Sequence, residues 1–110
     1  YMETPWVEAH TDIVQQLARA LVRTLRFLAD HDAQTIANAL PADFYAGDKD
    51  LYVTALAAGK QMFSPDGRMP EDGPATVLRG LSQVRGNLRD KPIDLSKTYT
   101  NALVEAASAD

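Results

Sequence analysis

Apolar residues recur every three to four positions between Ile13 and Leu28. Projected at about 100° per residue, Val14, Leu17, Leu21, Leu25 and Leu28 fall on one face. Ile13, Ala20 and Phe27 widen that face on one side, and Ala18 and Val22 on the other. Gln15, Gln16, Arg19, Arg23 and Arg26 form the only polar strip. The pattern predicts a long helix over 12–30, buried on most of its circumference and needing neighbours on more than one side.

Shorter helical segments flank it. Thr4-Pro5 reads as a helix start, with Thr as cap and Pro at the first helical position, leading into a short turn of helix over 6–9. Asp32 is placed to cap a helix carrying Ala33, Ile36, Ala37 and Leu40, which Pro41 ends. A connector with Phe44 and Tyr45 leads to Asp48, a second cap, and to Leu51, Tyr52, Ala55, Leu56 and Met62 at helical spacing. Gly59 weakens the end of that helix by about 1 kcal/mol relative to Ala. Ser64-Pro65-Asp66-Gly67 is a turn signal, because Pro presets φ and Gly accepts positive φ. Asp72-Gly73-Pro74 opens a further helix with Val77, Leu78, Leu81, Val84 and Leu88 expected inward, loosened at its end by Gly86 and Asn87. An extended linker over 92–97 follows. Thr98 is expected to cap a last helix with Leu103, Val104 and Ala107 as its apolar stripe, and 108–110 are expected to fray. No segment alternates like a convincing strand; only Ile93 to Leu95 suits a short extended piece. The expectation is an all-α chain of five or six helices, with 1–110 a single helical unit.

Composition narrows the function classes. A chain of 110 residues, 45% hydrophobic and 24% charged, suits one folded domain rather than a disordered one. A net charge of −4 argues against a nucleic-acid partner, which selects a basic face. The absence of Cys excludes a disulfide scaffold, a Cys-based zinc site and a thiol nucleophile. No apolar run approaches the roughly 20 residues that cross a bilayer. The opening Tyr1-Met2-Glu3-Thr4-Pro5 does not read as a signal peptide and looks like the interior of a longer protein, so a fragment is expected. The alternative is a small protein starting at Met2.

Side chains with chemical potential have simpler explanations. His10 and His31 are far apart and sit near helix ends, whereas a metal site takes several ligands at set spacings. Asp48-Lys49-Asp50 lacks the further oxygen ligands and the Gly of a calcium loop. Asp66, Glu71 and Asp72 fit turn and cap chemistry, and Arg19, Arg23 and Arg26 a solvated face. Ser64, Ser82, Ser96 and Ser108 lack a nucleophile-elbow context. Trp6, Tyr45, Tyr52 and Tyr99 suit a core or its edge better than a ligand pocket. The reading is non-enzymatic: no catalytic residue, no metal ligand and no cofactor is assigned.

The order of segments nevertheless resembles a known family. The helix over 13–28, the short helix over 32–40 and the acidic-capped, aromatic-bearing helix over 48–63 occur in the order found in the closing third of certain periplasmic solute-binding proteins. These are the nitrate/sulfonate/taurine and thiamine-precursor binding proteins of ABC transporters. The Phe63-Ser64-Pro65-Asp66-Gly67 turn is similar to the turn before that family's penultimate helix. Asp94-Leu95-Ser96-Lys97-Thr98-Tyr99-Thr100, leading into Asn101-Ala102-Leu103-Val104, resembles its C-terminal closure. The resemblance implies the C-terminal helical portion of a two-lobed α/β fold. It also implies a periplasmic or extracytoplasmic location, and partners comprising a small-molecule solute, bound by the full-length protein, and an ABC permease. The family's ligand contacts come from loops of the α/β core, so no ligand-binding residue is carried over to this chain. The other function classes are a stand-alone helical protein–protein interaction module and an enzyme of thiamine-precursor synthesis. The enzyme is disfavoured because no reactive constellation is visible. The broad apolar surface of the 12–30 helix must be covered in the isolated chain by other helices or by another copy, which predicts a homodimer or helix-swapped assembly.

Overall fold

The computed structural model describes residues 2–109. Among the described residues there are six α-helices and no strand: α1 (Thr4–Ala9), α2 (Thr11–Asp30), α3 (Ala33–Asn38), α4 (Lys49–Gly59), α5 (Gly73–Val84) and α6 (Ala102–Ser108). Short 3-10 turns at Ala42–Tyr45, Lys60–Met62, Gly86–Leu88 and Leu95–Lys97 join them. No helix among the described residues is long and apolar enough to cross a membrane.

Local chemistry explains most of the boundaries. The Asp32 carboxylate accepts the Thr35 amide at 2.7 Å and starts α3, and Asp48 accepts the Leu51 amide at 2.9 Å and starts α4. Each satisfies a donor that the first helical turn leaves unpaired. Ala46 and Gly47, at φ 48° and 88°, reverse the chain just before Asp48. The Tyr45 hydroxyl lies against the carbonyls of Ala37 and Leu40, closing the open end of α3. Its ring meets Tyr52 edge-on at 5.5 Å, which holds the connector against α4.

Several expected boundaries are corrected. The N-cap of α1 is Glu3, so Thr4 is inside the helix and makes no side-chain cap. Helix α3 stops at Asn38, ahead of Pro41. The 92–97 linker contains a 3-10 turn, because the Asp94 carboxylate accepts both the amide (3.1 Å) and the hydroxyl (2.6 Å) of Ser96. Thr98 does not cap α6: its hydroxyl donates back to the Leu95 carbonyl at 2.7 Å, and α6 begins at Ala102 after Asn101. Ser108 closes α6, while the expectation for Asp110, like the reading of Tyr1, lies outside the described residues.

The packing is open. Helix α6 lies along α2, α3 pairs with α4, and α5 packs against the 3-10 turn that follows it. The buried side chains are Val14 and Val22 of α2, Ala33, Ile36 and Ala37 of α3, and Ala107 of α6. Every described Leu and Phe, and Trp6, keeps part of its surface in solvent. The radius of gyration is 17.5 Å, against about 13 Å for a compact domain of this length. The accessible surface is 8579 Å², against about 6,000 Å² for a compact monomer of this mass, an excess of roughly 2,600 Å².

Candidate functional site

Part of the uncovered apolar surface lies on α2. Val14 and Val22 are 2% exposed, and Gly67 approaches the helix so closely that a methyl there would sit 3.1 Å from Leu25 Cδ1. One turn round, Ile13 (56% exposed), Leu17 (44%) and Leu21 (56%) face solvent. These three follow i, i+4, i+8 spacing and span about 12 Å of helix. The expected burial of α2 on most of its circumference is therefore corrected: its covered side is the α6 side. Part of the polar strip faces that covered side too. Gln15 Nε2 donates to the Leu103 carbonyl at 3.2 Å, and Arg26 donates to the Ser108 carbonyl at 3.2 Å, gripping α6 at both ends.

Helix α5 shows the same imbalance. Val77, Leu81 and Val84 were expected inward, yet they are 59%, 45% and 86% exposed. Leu78 and Leu88 are half-buried. With Ile93 and Leu95 they line an apolar groove of about 360 Å³. Periodicity says which residues share a face; it does not supply the neighbour that covers it.

An open cleft of about 810 Å³ lies between the 61–71 segment and Tyr99 and Asn101. Arg68, Asp66 and Ser64 at its wall are tied into local contacts. Arg68 donates to Glu105 at 2.7 Å across the cleft's edge. Asp66 accepts the Ser64 hydroxyl at 3.2 Å and the Arg68 amide at 3.0 Å. The Arg68 amide, then the Ser64 hydroxyl, hold the Asp66 carboxyl below its ordinary value. A carboxylate kept ionised in this way is unsuited to donate a proton near neutrality. No buried side-chain nitrogen or oxygen among the described residues lacks a hydrogen-bond partner.

The other residues with chemical potential are dispersed. His10 Nδ1 donates to the Trp6 carbonyl at 2.8 Å and its ring stacks on Trp6 at 4.4 Å. His31 repeats the arrangement on Phe27, at 2.9 Å and 4.2 Å. Both histidines thus close helix ends. Among the described residues no group of three or more His, Asp or Glu is placed to hold a metal ion. Asp48 caps α4, whereas Asp72 makes no side-chain cap on α5. Trp6 borders a shallow hollow with Met2 and Glu3, whereas Tyr99 lines the cleft and the α5 groove.

No family model, curated protein or solved structure matches the chain. Its function is therefore argued from its own surfaces.

Two residues that organise these surfaces were not singled out in the sequence. Lys60 donates to the carbonyls of Ala29 (3.2 Å) and His31, capping the C-terminal end of α2 from the end of α4. Asn101 exchanges hydrogen bonds with the backbone of Met69. Each tie joins positions about thirty residues apart and leaves no local signal.

Proposed function

We propose that this chain is a non-enzymatic docking layer, the C-terminal helical part of a periplasmic or extracytoplasmic solute-binding protein. In that protein the exposed face of α2 lies against an α/β lobe. The lobes hold a small solute of the sulfonate, nitrate or pyrimidine-precursor class and deliver it to an ABC permease. The single observation that carries the docking role is the solvent-facing stripe Ile13, Leu17 and Leu21 on a helix whose opposite side is packed. Contiguous apolar surface of this kind marks an interface. The transport role is supported by the order of the helices and of the 63–67 and 94–104 segments.

A second reading, a stand-alone helical module that buries the same face on a partner protein, shares the stripe. Isolating the natural polypeptide that carries these residues separates the two. A polypeptide with two α/β lobes that binds an anionic or pyrimidine-like solute supports transport. A polypeptide that begins at Met2 and binds no such solute contradicts it and leaves the module.

A further inference from the structure

We propose that the hollow between α5 and the segment returning along it binds a small amphipathic carboxylate. Ala75, Leu78, Arg79 and Ser82 follow i, i+3, i+4, i+7 spacing and so share one face of α5. All four line an open hollow of about 480 Å³, and Leu88, Arg89, Lys91 and Leu95 line it from the returning segment. That volume lies within the roughly 300–1,000 Å³ of small-molecule sites. Arg89 Nε donates to the Ser82 carbonyl at 3.0 Å and ties the two walls together.

The lining selects the ligand by charge and by apolar surface together. Its charged side chains, Arg79, Arg89 and Lys91, are all cations, although the chain carries a net charge of −4. No Asp or Glu lines the hollow. Of the two acids in the returning segment, Asp90 stays outside the lining, and Asp94 pairs with Lys97 at 3.6 Å. Arg79 donates to the Thr76 hydroxyl at 3.0 Å, so each guanidinium is held by a single tether. A guanidinium carries five N–H donors in a fork that matches a carboxylate, so each can keep its tether and still hold an anion. Between the cations lie Ala75 and the half-buried Leu78, Leu88 and Leu95. A bare inorganic anion would leave these apolar side chains in water, and a neutral hydrocarbon would leave the cations unused. One carboxylate on an apolar body uses both.

The site is built from α5 and the 88–95 segment alone. It needs neither the α2 stripe nor an α/β lobe, and so stands apart from the transport reading. A chain that binds no such carboxylate would overturn this site and leave the test of the natural polypeptide untouched.

Titration of the 110-residue chain with octanoate, followed by amide NMR, tests the proposal. Saturable shifts are expected over residues 75–95, with a dissociation constant of about 1 mM or below, the scale for a ligand of this size. Acetate, which lacks the apolar body, and octanol and octylammonium, which lack the anion, should each bind about tenfold more weakly or worse. Arg79→Gln and Lys91→Gln should each raise the octanoate dissociation constant about three- to tenfold, whereas Arg23→Gln on α2 should not. Absence of saturable shifts up to about 10 mM octanoate, ten times the expected constant, overturns the proposal. So do shifts centred on residues 13–21, or octanol or octylammonium binding as tightly as octanoate. Octanoate binding that Arg79→Gln and Lys91→Gln both leave unchanged overturns it too. The ligand comparison uses the unaltered chain, so it decides even if a variant fails to fold.

Discussion

Asn101 treats the backbone of Met69 as a strand would. The Met69 amide donates to Asn101 Oδ1 at 2.9 Å, and Asn101 Nδ2 donates to the Met69 carbonyl at 3.2 Å. The pair pins the 63–71 segment to the start of α6, beside the Arg68–Glu105 ion pair. That ion pair is half-exposed and contributes little by itself. Asn101→Ala should therefore lower the unfolding free energy by about 1–2 kcal/mol, the sum expected of two modest hydrogen bonds. Glu105→Gln should cost well under about 1 kcal/mol. Urea denaturation of both variants checks the ranking, and equal losses would contradict it.

The acidic helix starts differ in what they do. Asp32→Ala and Asp48→Ala each remove a side-chain cap and should cost about 1 kcal/mol. Asp72→Ala removes a side chain that caps nothing, and should leave the thermal midpoint almost unchanged.

Two glycines should respond in opposite directions. Gly67 has φ 77°, and an added Cβ would lie 3.1 Å from Leu25 Cδ1. Gly67→Ala should destabilise the chain by about 1–2 kcal/mol. Gly80 lies inside α5 with nothing within 4 Å of an added Cβ. Gly80→Ala should stabilise the chain by about 0.5–1 kcal/mol. Calorimetry of both variants reads the two signs.

Acid should weaken the turns in a defined order of cause. Asp32 is held below its ordinary value first by the Thr35 amide, Asp66 by the Arg68 amide and Asp94 by the Ser96 hydroxyl. A carboxyl depressed in the folded state contributes stability that is fully present above its unfolded pKa of about 3.9 and lost as pH falls through the folded value. Stability should therefore hold from neutrality to about pH 5 and decline below about pH 4. The triple variant Asp32→Asn, Asp66→Asn, Asp94→Asn should flatten that decline. Chemical denaturation from pH 7 to pH 3 measures the slope.

The parts of the fold written in local chemistry were legible in the sequence. Asp32 and Asp48 are caps, Gly67 turns with positive φ, and Leu103, Val104 and Ala107 carry the covered side of α6. What depended on tertiary neighbours was not legible. Val77 and Val84 have the spacing of a core face, but the chain leaves them 59% and 86% exposed. Thr98 has cap chemistry, but the 3-10 turn before it offers its hydroxyl the Leu95 carbonyl first. Lys60 caps α2 from a distant helix, a relation no sequence window contains. The candidate docking face was half legible: the breadth of the apolar surface on α2 signalled more neighbours than one, and the structure shows which side goes without.

The central claim is that this chain leaves an apolar face for a second surface to cover. The measurement that tests it most directly is the fluorescence of an apolar-surface dye added to the folded 110-residue chain and to its Leu17→Glu variant. An uncovered apolar face binds the dye, so the chain should enhance its fluorescence and Leu17→Glu should weaken that enhancement. A folded, monomeric chain that binds no dye would contradict the account.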